Sequence, residues 1–273
     1  MEDKNFVMYP AKTVDDAVAL LKNISGIQLL AGATQTREIK SDFFTVRNIE
    51  EMCAIDRRER YIDVGAAVPL SALSELGSPR IPSVLADAIS TIAHPFVRNL
   101  ATIGGNICSS TKNLKRTLYA PLLALDARLE IRIPSEIPHN VQMSKISEFP
   151  PKFLLTKIRI PLEDWDVSIF RRVGDSGVLN EKSASFTFLA KMEKDVLSKI
   201  AVSFAGAICF RNRELENQMQ GLKLPLTDKQ IEDLSKKSAE ILSVMEAKSA
   251  FSLPPILKTQ YLNLIHYSLE QLS

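Results

Sequence analysis

Two hydrophobic periods alternate along the first half of the chain. Val14, Ala17, Val18, Leu21 and Ile24 recur at helical spacing and predict an amphipathic helix over 14–24. Thr13 stands at the N-cap position with Asp16 three residues on, an acidic form of the capping box, and Gly26 closes the segment. Around this helix the apolar residues crowd into short runs that predict strands at 4–9, 27–30, 43–48 and 61–65. Pro69 and Pro82 occupy first-turn positions and predict helices through Leu76 and Ile92. A short apolar helix follows over Tyr119–Leu125. Strands are predicted over Arg128–Ile133 and over Phe153–Ile160, the second ending at Pro161.

After the polar break Glu163-Asp-Trp-Asp the order of elements changes. Three β-rich runs (168–173, 184–192 and 199–210) precede two helices, about 228–247 and 255–271. Strands first and helices afterwards predict a separate α+β unit, with the boundary between 161 and 170. The first half alternates strand and helix in an α+β or α/β manner, and the fold class expected for the whole is α+β.

Composition narrows the chemistry. Of 273 residues, 24% are charged and 45% apolar, which is ordinary for a globular protein and disfavours disorder or a disulfide scaffold. The 34 Lys and Arg nearly balance the 32 Asp and Glu, so no electrostatic footprint for nucleic acid is present. Arg57, Arg58 and Arg60, interrupted by Glu59, read as a solvated turn. The polar, acidic start Met1-Glu-Asp-Lys-Asn does not resemble a signal peptide, and no apolar stretch approaches the ~18–20 residues of a membrane span. A cytoplasmic protein is expected. Cys53, Cys108 and Cys209 form no C-x-x-C pair, and His94, His139 and His266 show no ligand spacing, so no metal or cluster is expected on this chain. Serine-hydrolase, zinc-protease, P-loop and G-x-G-x-x-G motifs are absent, and no catalytic residue stands out.

Two small-residue turns remain. Leu29-Leu-Ala-Gly-Ala-Thr runs from a strand into residues that leave backbone N–H groups uncovered, the composition of an anion-binding nest, although turn geometry alone also explains it. The second, Arg98-Asn-Leu-Ala-Thr-Ile-Gly-Gly-Asn, concentrates two of only 10 glycines. Gly104-Gly105 permits positive φ and close approach of backbone to a ligand, with Thr102 and Asn106 as neutral donors beside it; a structural bulge is the alternative.

The sequence resembles the FAD-binding subunit or domain of molybdenum hydroxylases, the xanthine dehydrogenase and carbon monoxide dehydrogenase medium-subunit family. The resemblance is carried by Leu30-Ala-Gly-Ala-Thr-Gln, Ile92-Ala-His-Pro-Phe-Val-Arg-Asn-Leu-Ala-Thr-Ile-Gly-Gly-Asn-Ile, Leu122-Leu-Ala-Leu-Asp-Ala and Leu154-Leu-Thr-Lys-Ile-Arg-Ile-Pro. It implies a two-part FAD-binding domain of the PCMH (vanillyl-alcohol-oxidase-like) type over 1–165, with subdomains of about 1–58 and 59–165. A smaller C-terminal α+β domain, an antiparallel sheet plus helices, would then occupy 166–273. It also implies FAD contacts from Ala31, Gly32, Ala33, Thr34 and Gln35 in the first turn and from Thr102, Ile103, Gly104, Gly105 and Asn106 in the second. Ile92, Ala93 and Leu155 fall near the flavin, and Arg172 where relatives carry a lysine at the domain junction.

The function so implied is an electron-transfer flavoprotein subunit. It would take electrons from a small 2Fe-2S subunit, itself fed by a molybdopterin-binding large subunit, and pass them to an acceptor such as NAD+. Two departures from the family pattern keep alternatives open. Ala33 replaces a glycine of the first turn, and Cys108–Tyr119 lacks the family's Pro and Asp. For Lys112, Lys115 and Arg116 in that segment a phosphate, a partner subunit and water are the alternatives, with solvent the default reading. A cofactor-poor scaffold of the same fold and a stand-alone FAD oxidoreductase are the alternatives.

Overall fold

The computed structural model describes all residues except 1–5, 37, 111–113, 147, 175–179 and 250. The chain begins with β1 (Met8–Tyr9), α1 (Val14–Asn23), β2 (Gln28–Leu30), β3 (Phe43–Thr45) and α2 (Glu50–Cys53). Then come β4 (Ile55–Arg57), β5 (Tyr61–Gly65), α3 (Leu70–Leu76), α4 (Ser83–Ser90), α5 (Pro95–Arg98) and α6 (Ile103–Cys108). They are followed by α7 (Tyr119–Ala124), β6 (Arg128–Arg132), β7 (His139–Gln142) and β8 (Leu154–Pro161). The last part holds β9 (Val167–Val173), β10 (Ala184–Glu193), β11 (Val196–Ala205), β12 (Cys209–Arg211), α8 (Arg213–Met219), α9 (Asp228–Lys248) and α10 (Pro255–Glu270).

These elements form two compact units. The first comprises Met1–Gly77, Ala93–Ser109 and Asp126–Leu162; the second comprises Ser78–Ile92, Ser110–Leu125 and Glu163–Ser273. The chain therefore enters the second unit three times, and the short segments carrying α4 and α7 pack there with the C-terminal strands.

The first unit contains two sheets. One is parallel, in the order β1-β3-β2, and α1 supplies the crossover between β1 and β2. Thr13 caps α1 with Asp16 in a reciprocal capping box, as the sequence predicts. The other sheet is antiparallel, in the order β4-β5-β8-β6-β7. Its central strand β8 carries a bulge at Thr156, because Glu130 pairs with Lys157 while Ile131 pairs with Leu155. The Arg57–Arg60 stretch is an exposed turn between β4 and β5.

The second unit is built on the antiparallel sheet β12-β11-β10-β9. One face presents Phe186, Phe188, Val202 and Phe204 to α8, α9 and α10. Tyr261 lies in that core, and its hydroxyl accepts from Asn212 Nδ2 at 3.0 Å and from Ser238 Oγ at 3.2 Å. The alternate residues Ser185, Thr187 and Ser203 point the other way, and the Ser203 hydroxyl donates to the Ala120 carbonyl of α7 at 2.7 Å. Small polar residues on that face admit helix α7; aromatics on the opposite face fill the space under the long helices.

Several expectations need correction. The predicted 199–210 run is two strands, β11 and β12, separated by a turn. The elements β4, β7, α2, α5, α6 and α8 are not anticipated, and each is too short to display a period. Gly104 and Gly105 are neither a bulge nor at positive φ: both lie inside α6, and Gly26, Gly77, Gly174 and Gly221 are the positive-φ glycines of the described residues. Lys115 is buried, not solvated. Its amide donates to the Gly206 carbonyl at 3.0 Å and its ammonium stands 5.0 Å over the Tyr119 ring. Lys112 lies outside the described residues, as do the first two residues of the predicted 4–9 strand.

Candidate functional site

The first turn begins at the carboxyl end of parallel strand β2, the end at which open α/β sheets receive ligands. The Leu30 carbonyl accepts from the Val46 amide at 3.2 Å, and the chain then leaves the sheet through Ala31 and Gly32. Ala33 adopts φ +53°, the left-handed region, and its carbonyl accepts from the Thr36 amide at 3.1 Å to close the turn. Ala33, Thr34 and Gln35 are exposed. The N–H groups of Gly32, Ala33 and Thr34 have no acceptor among the described residues. Consecutive amides set around a left-handed residue form a neutral concavity for an anion.

Gly32 is required by its surroundings. A Cβ there would lie 1.8 Å from the Leu100 carbonyl oxygen, closer than any side chain tolerates. Leu100 belongs to the second run, two residues before Thr102, so the two turns that sequence inspection pairs are packed against each other in the first unit.

The second turn is organised differently. Thr102 is the N-cap of α6, and its Oγ1 accepts from the Gly105 amide at 3.0 Å. The Ile103 amide donates to the Val68 carbonyl at 3.1 Å, Gly104 to Ala66 at 2.9 Å and Asn106 to Thr102 at 2.9 Å. The first four amides of this helix are thus consumed by its own chain. Gly104 permits the approach, since a Cβ on it would lie 2.6 Å from both the Cβ and the carbonyl oxygen of Ala66. Thr102 is buried, and its O–H proton finds no acceptor among the described residues. A ligand reaching this turn would meet that hydroxyl rather than a row of open amides.

The Ala66–Val68 segment, which the sequence reading did not single out, links the turn to the antiparallel sheet. The Ala66 amide donates to the Thr156 carbonyl at 2.9 Å, at the bulge in β8. Leu155 is next along that strand, opposite Ile131 and buried. The small-residue run Gly65-Ala66-Ala67 is the signal that could have found it.

Ala93 is the second left-handed alanine, at φ +47°, and its carbonyl accepts from Arg98 Nη1 at 2.9 Å. His94 caps the one-turn helix α5 and stacks on exposed Phe96. In the second unit, Ile92 is half-buried just beyond α4, its amide bonded to the Ile89 carbonyl at 3.0 Å. Arg172 lies on β9, also in the second unit, and its Nη1 donates to the Thr91 carbonyl at 2.9 Å. Burial pushes the Cys108 and Cys209 thiols up to about 12, so both are uncharged near neutrality. Among the described residues no group of His, Cys, Asp or Glu is arranged to hold a metal ion, and no helix is long and apolar enough to cross a membrane.

Comparison with known proteins identifies the class. The family model described as the FAD binding domain in molybdopterin dehydrogenase matches residues 4–163, more than half of the chain. The chain belongs to that family. It is 33% identical over 157 residues to a probable aldehyde oxidase 4 of Oryza sativa subsp. japonica, covering 50% of this chain and 19% of the relative. It is 32% identical over 134 residues to a xanthine dehydrogenase FAD-binding subunit of Escherichia coli O157:H7, covering 45% of each. The matched regions thus span less than half the length of these curated relatives. The fold extends much further: a chain of carbon monoxide dehydrogenase from Hydrogenophaga pseudoflava superimposes with a TM-score of 0.77 at 18% identity. That match covers 100% of this chain and 97% of the other.

The family's cofactor is FAD, and the residues present suit its pyrophosphate. Three open, uncharged amides and a buried hydroxyl form a donor set that needs no lysine or arginine. The departure at Ala33 does not remove the turn, because the alanine already holds the left-handed conformation a glycine would take.

Proposed function

We propose that this chain is the FAD-binding electron-transfer subunit of a molybdenum hydroxylase complex. The observation that carries the reading is the first turn, where left-handed Ala33 gathers the open amides of Gly32, Ala33 and Thr34. In this reading those amides, with Ala31 and Gln35, hold the pyrophosphate. Thr102 adds its hydroxyl, and Ile103, Gly104, Gly105 and Asn106 shape the floor beneath it. In the same reading Ala93 and Leu155 border the isoalloxazine and keep water from it. When bound, FAD supplies redox chemistry between a one-electron donor and a two-electron acceptor.

A large subunit would carry molybdopterin and a small one the 2Fe-2S cluster, with NAD+ as a candidate acceptor. The family match over 4–163 supports assigning the flavin-binding part to residues 1–165 and the C-terminal part to 166–273. Three free cysteines support a cytoplasmic location.

The test is a titration of the purified protein with FAD, followed by flavin fluorescence and absorption. A yellow 1:1 complex that releases FAD on denaturation is expected. A colourless protein that takes up no added FAD overturns the reading in favour of the scaffold alternative.

A further inference from the structure

The segment from Ala93 to Leu100 abuts the first turn, and both belong to the first unit. Its backbone is firmly held. The amides of Val97 and Arg98 donate to the His94 carbonyl, that of Asn99 to Pro95, and those of Leu100 and Ala101 to Val97, at 2.8–3.2 Å. Helical hydrogen bonding therefore continues from α5 to Leu100, on whose carbonyl Gly32 rests. At the start of the segment, left-handed Ala93 is pinned where Arg98 Nη1 reaches back to its carbonyl at 2.9 Å. Backbone strain of this kind persists only where the surroundings over-determine it.

This stiff segment shows apolar side chains to water. Phe96 is 76% exposed, more than any other aromatic ring of the described residues, and Leu100 is 46% exposed. They stand four residues apart, the spacing that puts two side chains on one face of a helix. His94 stacks on the Phe96 ring, with centroids 5.1 Å apart and planes at 28°, so the exposed ring is braced on one side. A single exposed apolar residue is ordinary. Here an ordered aromatic and a leucine share a face, and the backbone of that leucine abuts the turn with three open amides. A ligand anchored by its phosphates in that turn has this face beside it.

We propose that Phe96 and Leu100 form a stacking shelf for the isoalloxazine ring of FAD held at the first turn, with His94 as the brace behind Phe96. The proposal rests on the functional reading given above and adds to it residues that the sequence reading did not assign to the site. Extent decides between the two rings of the dinucleotide. A phenyl face with a leucine four residues on, about 6 Å along the helix, is long for a purine and suits a tricyclic ring. Contact between an aromatic side chain and a planar ring is favourable beyond the area it buries.

Wild type, Phe96→Ala and Phe96→Trp are each titrated with FAD and, separately, with ADP, which carries the adenosine and a diphosphate but no flavin. Phe96→Ala is expected to weaken FAD about 5- to 10-fold and to leave ADP affinity within about twofold of wild type. Phe96→Trp should keep FAD affinity and quench the bound flavin's fluorescence below that of the wild-type complex, because an indole touching the isoalloxazine donates an electron to its excited state. A merely structural role for Phe96 would lower both affinities together.

Equal losses for FAD and ADP overturn the proposal, as does a Phe96→Trp complex that fluoresces like wild type. Unchanged FAD affinity in Phe96→Ala also overturns it and leaves the exposed face to a partner protein. A wild-type protein that binds no FAD overturns the underlying functional reading instead, and the shelf with it. Far-UV dichroism establishes that each variant is folded.

Discussion

The turns at Ala31–Thr36 and Thr102–Asn106 look alike in sequence, both small, glycine-bearing and uncharged, yet the structure uses them in opposite ways. The first leaves the amides of Gly32, Ala33 and Thr34 open and spends strain on a left-handed alanine. The second spends its amides on Val68, Ala66 and Thr102, so that it is a rigid base rather than a cradle. The close approach of Gly32 to the Leu100 carbonyl ties the two together. Glycine content alone therefore does not mark a phosphate site. What distinguishes the two turns is whether the N–H groups are already paired.

Four substitutions would break or sharpen this contrast. The largest effect is expected from Gly32→Ala, whose new methyl collides with the backbone of Leu100 rather than with a side chain that can swing aside. A loss of about 3 kcal/mol is expected, a fall of roughly 6–12 °C in thermal midpoint, together with loss of FAD binding. Gly104→Ala meets Ala66 in a similar way but regains about 1 kcal/mol of helix propensity. Its net cost should be about 1–2 kcal/mol by denaturant titration, and the protein that remains folded should still bind FAD.

Thr102→Ala removes the cap of α6 and the free hydroxyl proton together. About 1 kcal/mol of stability should go, with a roughly 5-fold weaker FAD complex, while Thr102→Ser should keep both. If the serine variant restores stability but not affinity, the second turn meets the ligand through something other than the hydroxyl. The smallest effect is expected at Ala33. Glycine there relieves about 1 kcal/mol of left-handed strain but frees the unfolded chain, leaving a gain of about 0.5 kcal/mol, or roughly 1–2 °C in a melting scan. FAD affinity should stay within about twofold of wild type, because the turn is preformed. A tenfold gain would show that alanine had been holding it shut.

How much could be read in advance depended on length and on what each residue packs against. The helix over 14–24, its Thr13–Asp16 cap and the strand over 61–65 were legible because a repeated period or a reciprocal cap is a local property. The three-residue strand β4 and the one-turn helices α2 and α5 were not, since so few residues cannot express a period. Lys115 shows the limit for charge: a lysine in a polar segment reads as solvated, yet a neighbouring tyrosine ring and the Gly206 carbonyl, 91 positions away in the chain, draw it into the second unit. The expectation of positive φ at Gly104-Gly105 failed for a related reason. Gly104 is needed for closeness to Ala66, not for positive φ, and sequence does not tell these needs apart.

By itself, then, the sequence determined the α+β class, the position of the long elements, the family and the two segments to inspect. All of these follow from local periodicity or from a recognisable run of residues. Only the tertiary structure decided that the segments carrying α4 and α7 belong with the C-terminal sheet and that Gly32 lies on Leu100. It alone showed which amides are open and that Arg172 ends at the Thr91 carbonyl. Each of those is a pairing between residues distant in the chain. A hydrogen bond once made cannot be offered to a ligand, so the difference between a cradle and a base is written in the partners and not in the residues.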